Sequence, residues 1–208
     1  METSKNDLFQ VIREHLAEGM DFQTMRKELW QNFGGQYATL VLDCCQFTRV
    51  TQESGIVHFL ICLLKMNDLI KPIFEKYGCL SFRSEEDNIY AEFKTANQAL
   101  AASREANHAV KSAKLMLNEN EPFQICIGIG YGNVLCTQNN GVFGDEMNLA
   151  SKLGEDIAEG EEILLTEAAF ASIEDKYKTN FKRKSITVSG VQISYYSLKL
   201  NRLTNYSS

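Results

Sequence analysis

The chain has 208 residues, 44% hydrophobic and 23% charged, an ordinary globular composition with room for one sizeable core and an N-terminal appendage. Its net charge of −6 argues against a protein that lives on nucleic acid, because no basic face offsets phosphate repulsion. A small anionic substrate stays open, since metal ions can supply the positive charge.

The polar opening METSKNDL shows no leader, and the most apolar helix, Ile56 to Ile70, carries His58, Lys65 and Asp68 and is too short and polar to span a bilayer. The expectation is a soluble, cytoplasmic protein with neither a membrane nor a nucleic-acid partner. Cys44, Cys45, Cys62, Cys79, Cys126 and Cys136 show no CxxC pairing and no zinc spacing, and read as reduced core residues.

In chain order, residues 1–35 form an N-terminal helical segment. Leu8, Val11, Ile12, Leu16 and Met20 share one helical face, and Phe22, Met25, Leu29 and Trp30 belong to a second helix that Gly34-Gly35 breaks. Thr39–Asp43 reads as a buried strand with an acid at its end. Ser54–Tyr77 reads as a helix with apolar Ile56, Phe59, Leu60, Leu63, Met66, Ile70 and Phe74, ended by Gly78.

Cys79–Ser84 and Asn88–Phe93 then form a hairpin with Asp87 in its turn, and Thr95–Leu117 an Ala-rich helix. Phe123–Gly130 alternates as a strand, with Tyr131-Gly132 as a turn into Asn133–Thr137. A helix over 145–158, capped by Asp145, is followed by strand 163–165, a short helix near 167–173 and strands 185–188 and 192–200. The order β-α-β-β-α-β with extra C-terminal elements predicts an α+β, ferredoxin-like domain over 36–200, with 201–208 as a tail.

The chemistry gathers on two acids. Asp43 ends a core strand and Asp87 tips the neighbouring hairpin, an arrangement that can hold two divalent ions on a triphosphate. Taken singly, a strand-end acid such as Asp43 more often caps the next helix; Asp87 is what raises the metal reading. His15, His58 and His108 lie on predicted helices without an acid or nucleophile partner and read as structural. GIGYG is a strand and turn in the wrong setting for a dinucleotide fingerprint.

Five segments together resemble the class III nucleotidyl cyclase catalytic domain. LDCCQFT is similar to that family's Asp-Ile-x-Gly-Phe-Thr, and FRSEEDNIYAEF to its Ile-Lys-x-x-Gly-Asp hairpin. IGIGYGNV resembles Gly-Ile-x-x-Gly-x-Val, VFGDEMNLASKL resembles Trp-Gly-x-x-Val-Asn-x-Ala-Ser-Arg-Leu, and EGEEILLTEAA resembles Pro-Gly-Glu-Ile-x-x-Ser-Glu.

The resemblance implies attack of a ribose 3′-oxygen on the α-phosphate of a nucleoside triphosphate, with release of pyrophosphate. It implies two Mg or Mn ions on Asp43, Cys44 and Asp87, with a triphosphate cradle over Cys44, Cys45, Gln46, Phe47 and Thr48. Asn148 would orient the ribose, and Lys152 would face charge developing on the α-phosphate. It also implies a head-to-tail homodimer with active sites at the subunit interface.

Several positions depart from the family pattern. Lys152 replaces Arg, Glu86 replaces the Gly before the second metal Asp, and Ser189 stands where a phosphate-binding Lys is frequent, with Lys182 and Lys184 nearby. The base-reading pair becomes Arg83 and Gly141. Arg83 has only donors and suits a base carbonyl, so the expected substrate is UTP or CTP, as in the similar pyrimidine cyclases of bacterial anti-phage (Pycsar) systems, whose product switches on an effector. An adenylate cyclase, a binding module without turnover, and an Arg83 that simply pairs with Glu85 or Glu86 are the alternatives.

Overall fold

The first half of the fold follows from where the chain can alternate and where it must turn. The computed structural model describes residues 7–45, 52, 55–118, 121–137, 141–188 and 190–200. Helix α1 (Leu8–Ala17) is capped by Asp7, which accepts from the Gln10 amide, and α2 (Phe22–Phe33) by Asp21, which accepts from Gln23 and Thr24. Leu8, Met25 and Phe33 are buried, whereas Leu16, Phe22 and Trp30 stay exposed.

Gly34-Gly35 ends α2 but does not open a loop, because strand β1 (Gly34–Cys44) begins there, five residues before the expected start at Thr39. Helix α3 (Ile56–Lys76) contains Pro72 and stops before Gly78, whose φ of 78° suits glycine alone. Phe59, Leu63, Met66, Ile70 and Phe74 are buried as expected. Ile56 and Leu60 are not: they join Val57, Ile61 and Leu64 on the exposed side of the helix.

Strands β2 (Ser81–Glu85) and β3 (Asn88–Phe93) form a hairpin with Glu86-Asp87 as its two-residue turn. Helix α4 (Ala96–Ser112) opens with a Thr95–Gln98 capping box, buries Ala96, Ala99, Ala102 and Ala106, and ends five residues before the expected Leu117. Strand β4 (Ile125–Thr137) is continuous. The turn expected at Tyr131-Gly132 is absent because both residues stay in register with β1, Ala38 opposite Tyr131 and Tyr37 opposite Gly132.

Next come β5 (Gly141–Phe143), helix α5 (Asp145–Ser151) and a π-helical turn, Lys152–Ile157, so the single helix expected over 145–158 changes winding at Lys152. Gly144, not Asp145, is the N-cap, and Asp145 and Glu146 occupy the first turn, where negative charge suits the helix dipole. Strand β6 (Glu162–Thr166), helix α6 (Glu167–Ser172), β7 (Lys182–Val188) and β8 (Val191–Lys199) complete the described chain.

The sheet order is β2-β3-β1-β4-β6-β8-β7, with β5 on β4. The first four strands, all antiparallel, give the ferredoxin-like arrangement, and β6 adds parallel to β4. Alternation along β1 separates two faces. Leu40, Leu42 and Cys44 enter the main core with Phe59, Met66 and Phe74 of α3 and Ala99, Leu100 and Ala106 of α4, while Val41 packs on the other face with Met147 and Ala150 of α5.

That second face is lined by glycine for a steric reason. A Cβ at Gly128 would lie 2.1 Å from the Ala150 carbonyl oxygen, and one at Gly130 would lie 2.2 Å from that of Glu146. Gly154 closes the contact from the helical side, 2.7 Å from the Val41 carbonyl oxygen by the same measure. The GIGYG run is therefore the flat strip on which α5 lies.

Candidate active site

Asp43 and Asp87 reach one end of the sheet from β1 and from the β2–β3 turn. Asp43 does not cap α3, whose N-cap is Gly55. Its carboxyl is pushed up to about 7, first by burial and then by Asp87, with Glu155 and Asp156 of the π-helical turn adding to the repulsion and the Cys44 amide opposing it. Two carboxylates held close together, beside the backbone oxygens at the end of β1, are hard oxygen donors that suit Mg or Mn. Among the described residues no group of three or more His, Cys, Asp or Glu side chains is arranged as a metal site, so Asp43 and Asp87 would depend on backbone and substrate oxygens to complete coordination.

Asp87 keeps its turn despite Glu86. That residue has a φ of 55°, the left-handed conformation for which the family's glycine is suited, so the backbone bend survives the substitution at a conformational cost.

The cysteines depart most from expectation. Cys45 and Cys126 form a disulfide, so neither is a free core thiol; Asp43 and Cys126 face each other across β1 and β4, which puts Cys45 within reach diagonally. The Cys45 amide also donates to the Gln124 carbonyl at 3.1 Å and so is not free to hold a phosphate. Pairing with the β4 side of the sheet therefore runs two residues into the expected cradle, through Cys44 and Cys45. The Cys44 side chain points into the core, its Sγ 3.6 Å from Met66 Sδ, leaving only its backbone on the acid side. Gln46, Phe47, Thr48 and Ser189 lie outside the described residues.

Arg83 and Gly141 meet. Gly141 has a φ of 87°, which favours glycine, and a Cβ there would stand 2.8 Å from Arg83 Nη1, so a side chain at 141 would oblige the guanidinium to move. Arg83 Nη2 donates to Glu92 Oε1 at 3.1 Å and Nη1 to Glu85 Oε1 at 3.4 Å, and the guanidinium lies 5.5 Å from the centre of the Tyr90 ring. The pairing with Glu85 was an open alternative from sequence; Glu92 and Tyr90 were not anticipated.

Asn148 is exposed on α5, and Lys152 follows one turn later, paired with Asp156 at 2.6 Å. Helical spacing places Met147, Ala150, Gly154 and Ile157 toward the core; the first three are buried, whereas Ile157, at the end of the π-helical turn, is half-buried. The helix is fixed by Glu146, whose Oε2 accepts from the Tyr131 amide at 3.0 Å and from the Thr166 hydroxyl at 2.6 Å. Tyr90 Oη donates to Glu155 Oε1 at 3.2 Å, tying β3 to the π-helical turn. Lys184, near the missing phosphate lysine, is engaged by buried Glu162 at 2.9 Å. His15, expected to lack an acid, is 3.2 Å from Glu28.

A family model described as the adenylate and guanylate cyclase catalytic domain matches residues 36–200. The chain belongs to that family. As a solved fold, this cyclase domain is similar to the guanylyl cyclase Cya2, with 17% identity and a TM-score of 0.67 over 79% of this chain and 91% of that one. It is likewise similar to the adenylate/guanylate cyclase/hydrolase from Silicibacter pomeroyi, with 22% identity and a TM-score of 0.66 over 79% and 96%. The guanylate cyclase domain of RhGC from Catenaria anguillulae, solved in complex with GTP, is 16% identical with a TM-score of 0.61 over 78% and 94%. None of the curated proteins matches this chain. Among the described residues no helix is long and apolar enough to cross a membrane.

Proposed function

We propose that this cyclase domain is an active, metal-dependent enzyme that converts UTP or CTP to its 3′,5′-cyclic monophosphate and pyrophosphate. The observation that carries the base preference is the placement of Arg83 Nη1 in the space a side chain at Gly141 would enter, 2.8 Å from where its Cβ would stand, so that a cation that can only donate takes the place of a purine-reading side chain. Uracil, cytosine and guanine offer carbonyl acceptors to such a donor and adenine offers no exocyclic carbonyl; the argument against guanine is Gly141, which lacks the side chain that would help read a purine.

Asp43 and Asp87, with the Cys44 backbone, would hold two Mg or Mn ions, which when bound supply Lewis acidity to the ribose 3′-hydroxyl and the phosphates. The chain's own work is then positional. Asn148, presented by α5, orients the ribose, and Lys152 leaves Asp156 to meet charge growing on the α-phosphate. Thr48, with the segment from Gln46 to Phe47, contacts the triphosphate.

The reading includes a head-to-tail homodimer in which the acids of one subunit face Asn148 and Lys152 of the other, because neither set alone completes a site. Among solved relatives one cyclase-domain structure is described as a non-canonical dimer and another as monomeric. Its product would act as a cytoplasmic second messenger on a cyclic-nucleotide-activated effector, in antiviral defence. A binding module without turnover is the second reading, favoured by the pairing of Lys152 with Asp156.

Incubation with each of the four ribonucleoside triphosphates and Mn²⁺, with products identified by mass spectrometry, tests this. Cyclic UMP or cyclic CMP, lost in Asp87→Ala, is the expected outcome. Cyclic AMP or GMP would overturn the base preference, and a folded protein without product would favour the binding module. Mixing inactive Asp43→Ala with inactive Asn148→Ala should restore activity if the site is shared between subunits.

A further inference from the structure

Glu92 is a carboxylate inside a strand whose neighbours, Ala91 and Phe93, are fully buried. It faces Thr39 of β1 on one side and Ser81 of β2 on the other, and its side chain is only 5% exposed. A carboxylate in such a place is costly unless a cation and hydrogen bonds match it. Arg83 supplies the cation, donating through Nη2 to Glu92 Oε1, while Glu92 Oε2 is buried without a hydrogen bond among the described residues and burial holds the Glu92 pKa up against the opposing pull of Arg83.

The guanidinium is thereby bounded on each side that the structure describes. Glu92 holds Nη2, Glu85 meets Nη1, the Tyr90 ring lies under the charge, and the Gly141 backbone closes the side where a Cβ would intrude. Glu85 is exposed and Glu92 is not, so Glu92 provides the persistent contact, since exposed ion pairs contribute little. An arginine has five N–H donors, and these two contacts take two.

We propose that Glu92 is the positioning residue of the base pocket: its buried carboxylate fixes Arg83 over Tyr90 and against Gly141. By offsetting the charge, it leaves the remaining N–H groups to select a neutral base carbonyl rather than a phosphate. This inference rests on Arg83 as the base reader, and the experiment separates the two.

Dissociation constants for UTP, CTP, ATP and GTP are measured on the full chain with Ca²⁺ as the divalent ion, so that binding is read without turnover. The proteins are wild type, Glu92→Met, Glu92→Gln, Arg83→Ala and the Arg83→Ala/Glu92→Met double variant, each checked by thermal melting. Glu92→Met fills a similar volume without accepting a hydrogen bond; Glu92→Ala replaces it should that variant fail to fold.

Glu92→Met should weaken the preferred nucleotide about tenfold and draw the four affinities together, the scale of a lost charge-assisted hydrogen bond. Glu92→Gln, whose amide oxygen still accepts but carries no charge to offset Arg83, should restore only part of the preference, and the double variant should match Arg83→Ala alone. Preference lost in Arg83→Ala but intact in Glu92→Met, or losses that simply add, would overturn the role of Glu92 and spare that of Arg83. Preference unchanged in Arg83→Ala, or absent from the wild type, would overturn both.

Discussion

At the scale of single residues, the departures from the family pattern turn out to be physically paired with something. Gly141 makes space for Arg83, and Glu92 offsets its charge. Glu86 differs from these, since its backbone stands in the left-handed region, at a cost of about 1 kcal/mol relative to glycine. Glu86→Gly should therefore raise the free energy of unfolding by about 1 kcal/mol, measured by chemical denaturation, while leaving the β2–β3 turn and Asp87 in place. A loss of stability would show that Glu86 makes a contact worth more than its backbone strain. Glu92 was legible as an oddity, a Glu in the apolar run NIYAEF, but its partner was not. Only the strand register, with Arg83 opposite Tyr90 and Ser81 opposite Glu92, brings the two together.

At the scale of elements, the decisive contact is α5 on the β1–β4 strip. The sequence shows the periodicity of α5 and the glycines of β4 separately, and an amphipathic pattern says which face is apolar but not how near it can come. Gly130 sets that distance, because its missing side chain is what admits the Glu146 carbonyl. Gly130→Ala should push α5 off the sheet and cost about 2–3 kcal/mol, and, since Asn148 and Lys152 ride on α5, it should impair nucleotide turnover more than nucleotide-independent folding. A variant with wild-type stability and activity would mean that the helix has slack. The misread turn at Tyr131-Gly132 has the same origin: glycines that look like punctuation in a sequence serve here as clearance in a strand paired along both edges.

At the scale of the whole molecule, two properties depend on groups distant in the chain. Asp43 is raised to about 7 from an unfolded value of 3.8, so the folded state binds the extra proton between those limits and stability from this group falls as pH rises through the window. The groups facing it are Asp87, Glu155 and Asp156. The melting temperature of the metal-free wild type minus that of Asp43→Asn should therefore fall between pH 4 and pH 7, and Mg²⁺ should lessen the fall. A flat difference would count against the crowding of acids at this site.

The Cys45–Cys126 disulfide spans 81 residues of sequence and anchors the end of β1 to β4, so reduction should lower stability by about 2–4 kcal/mol. Cys126→Ser should show the same stability with and without reductant; equal stability of the wild type in both would mean the bond adds nothing to the fold.

By itself the sequence determined the family through five ordered motifs, the two acids at the end of the sheet, and the element order apart from β5, which falls where it reads as a loop, and the unbroken β4, because these rest on local periodicity and on residue types at fixed spacing. It did not determine the disulfide, the Arg83–Glu92 pair, the clamp of Glu146 on Tyr131 and Thr166, or the π-helical turn that sets Glu155 and Asp156 beside Asp43. Those were decided by strand register and by the close approach of helix to sheet, which bring together side chains whose separation along the chain carries no signal of their contact.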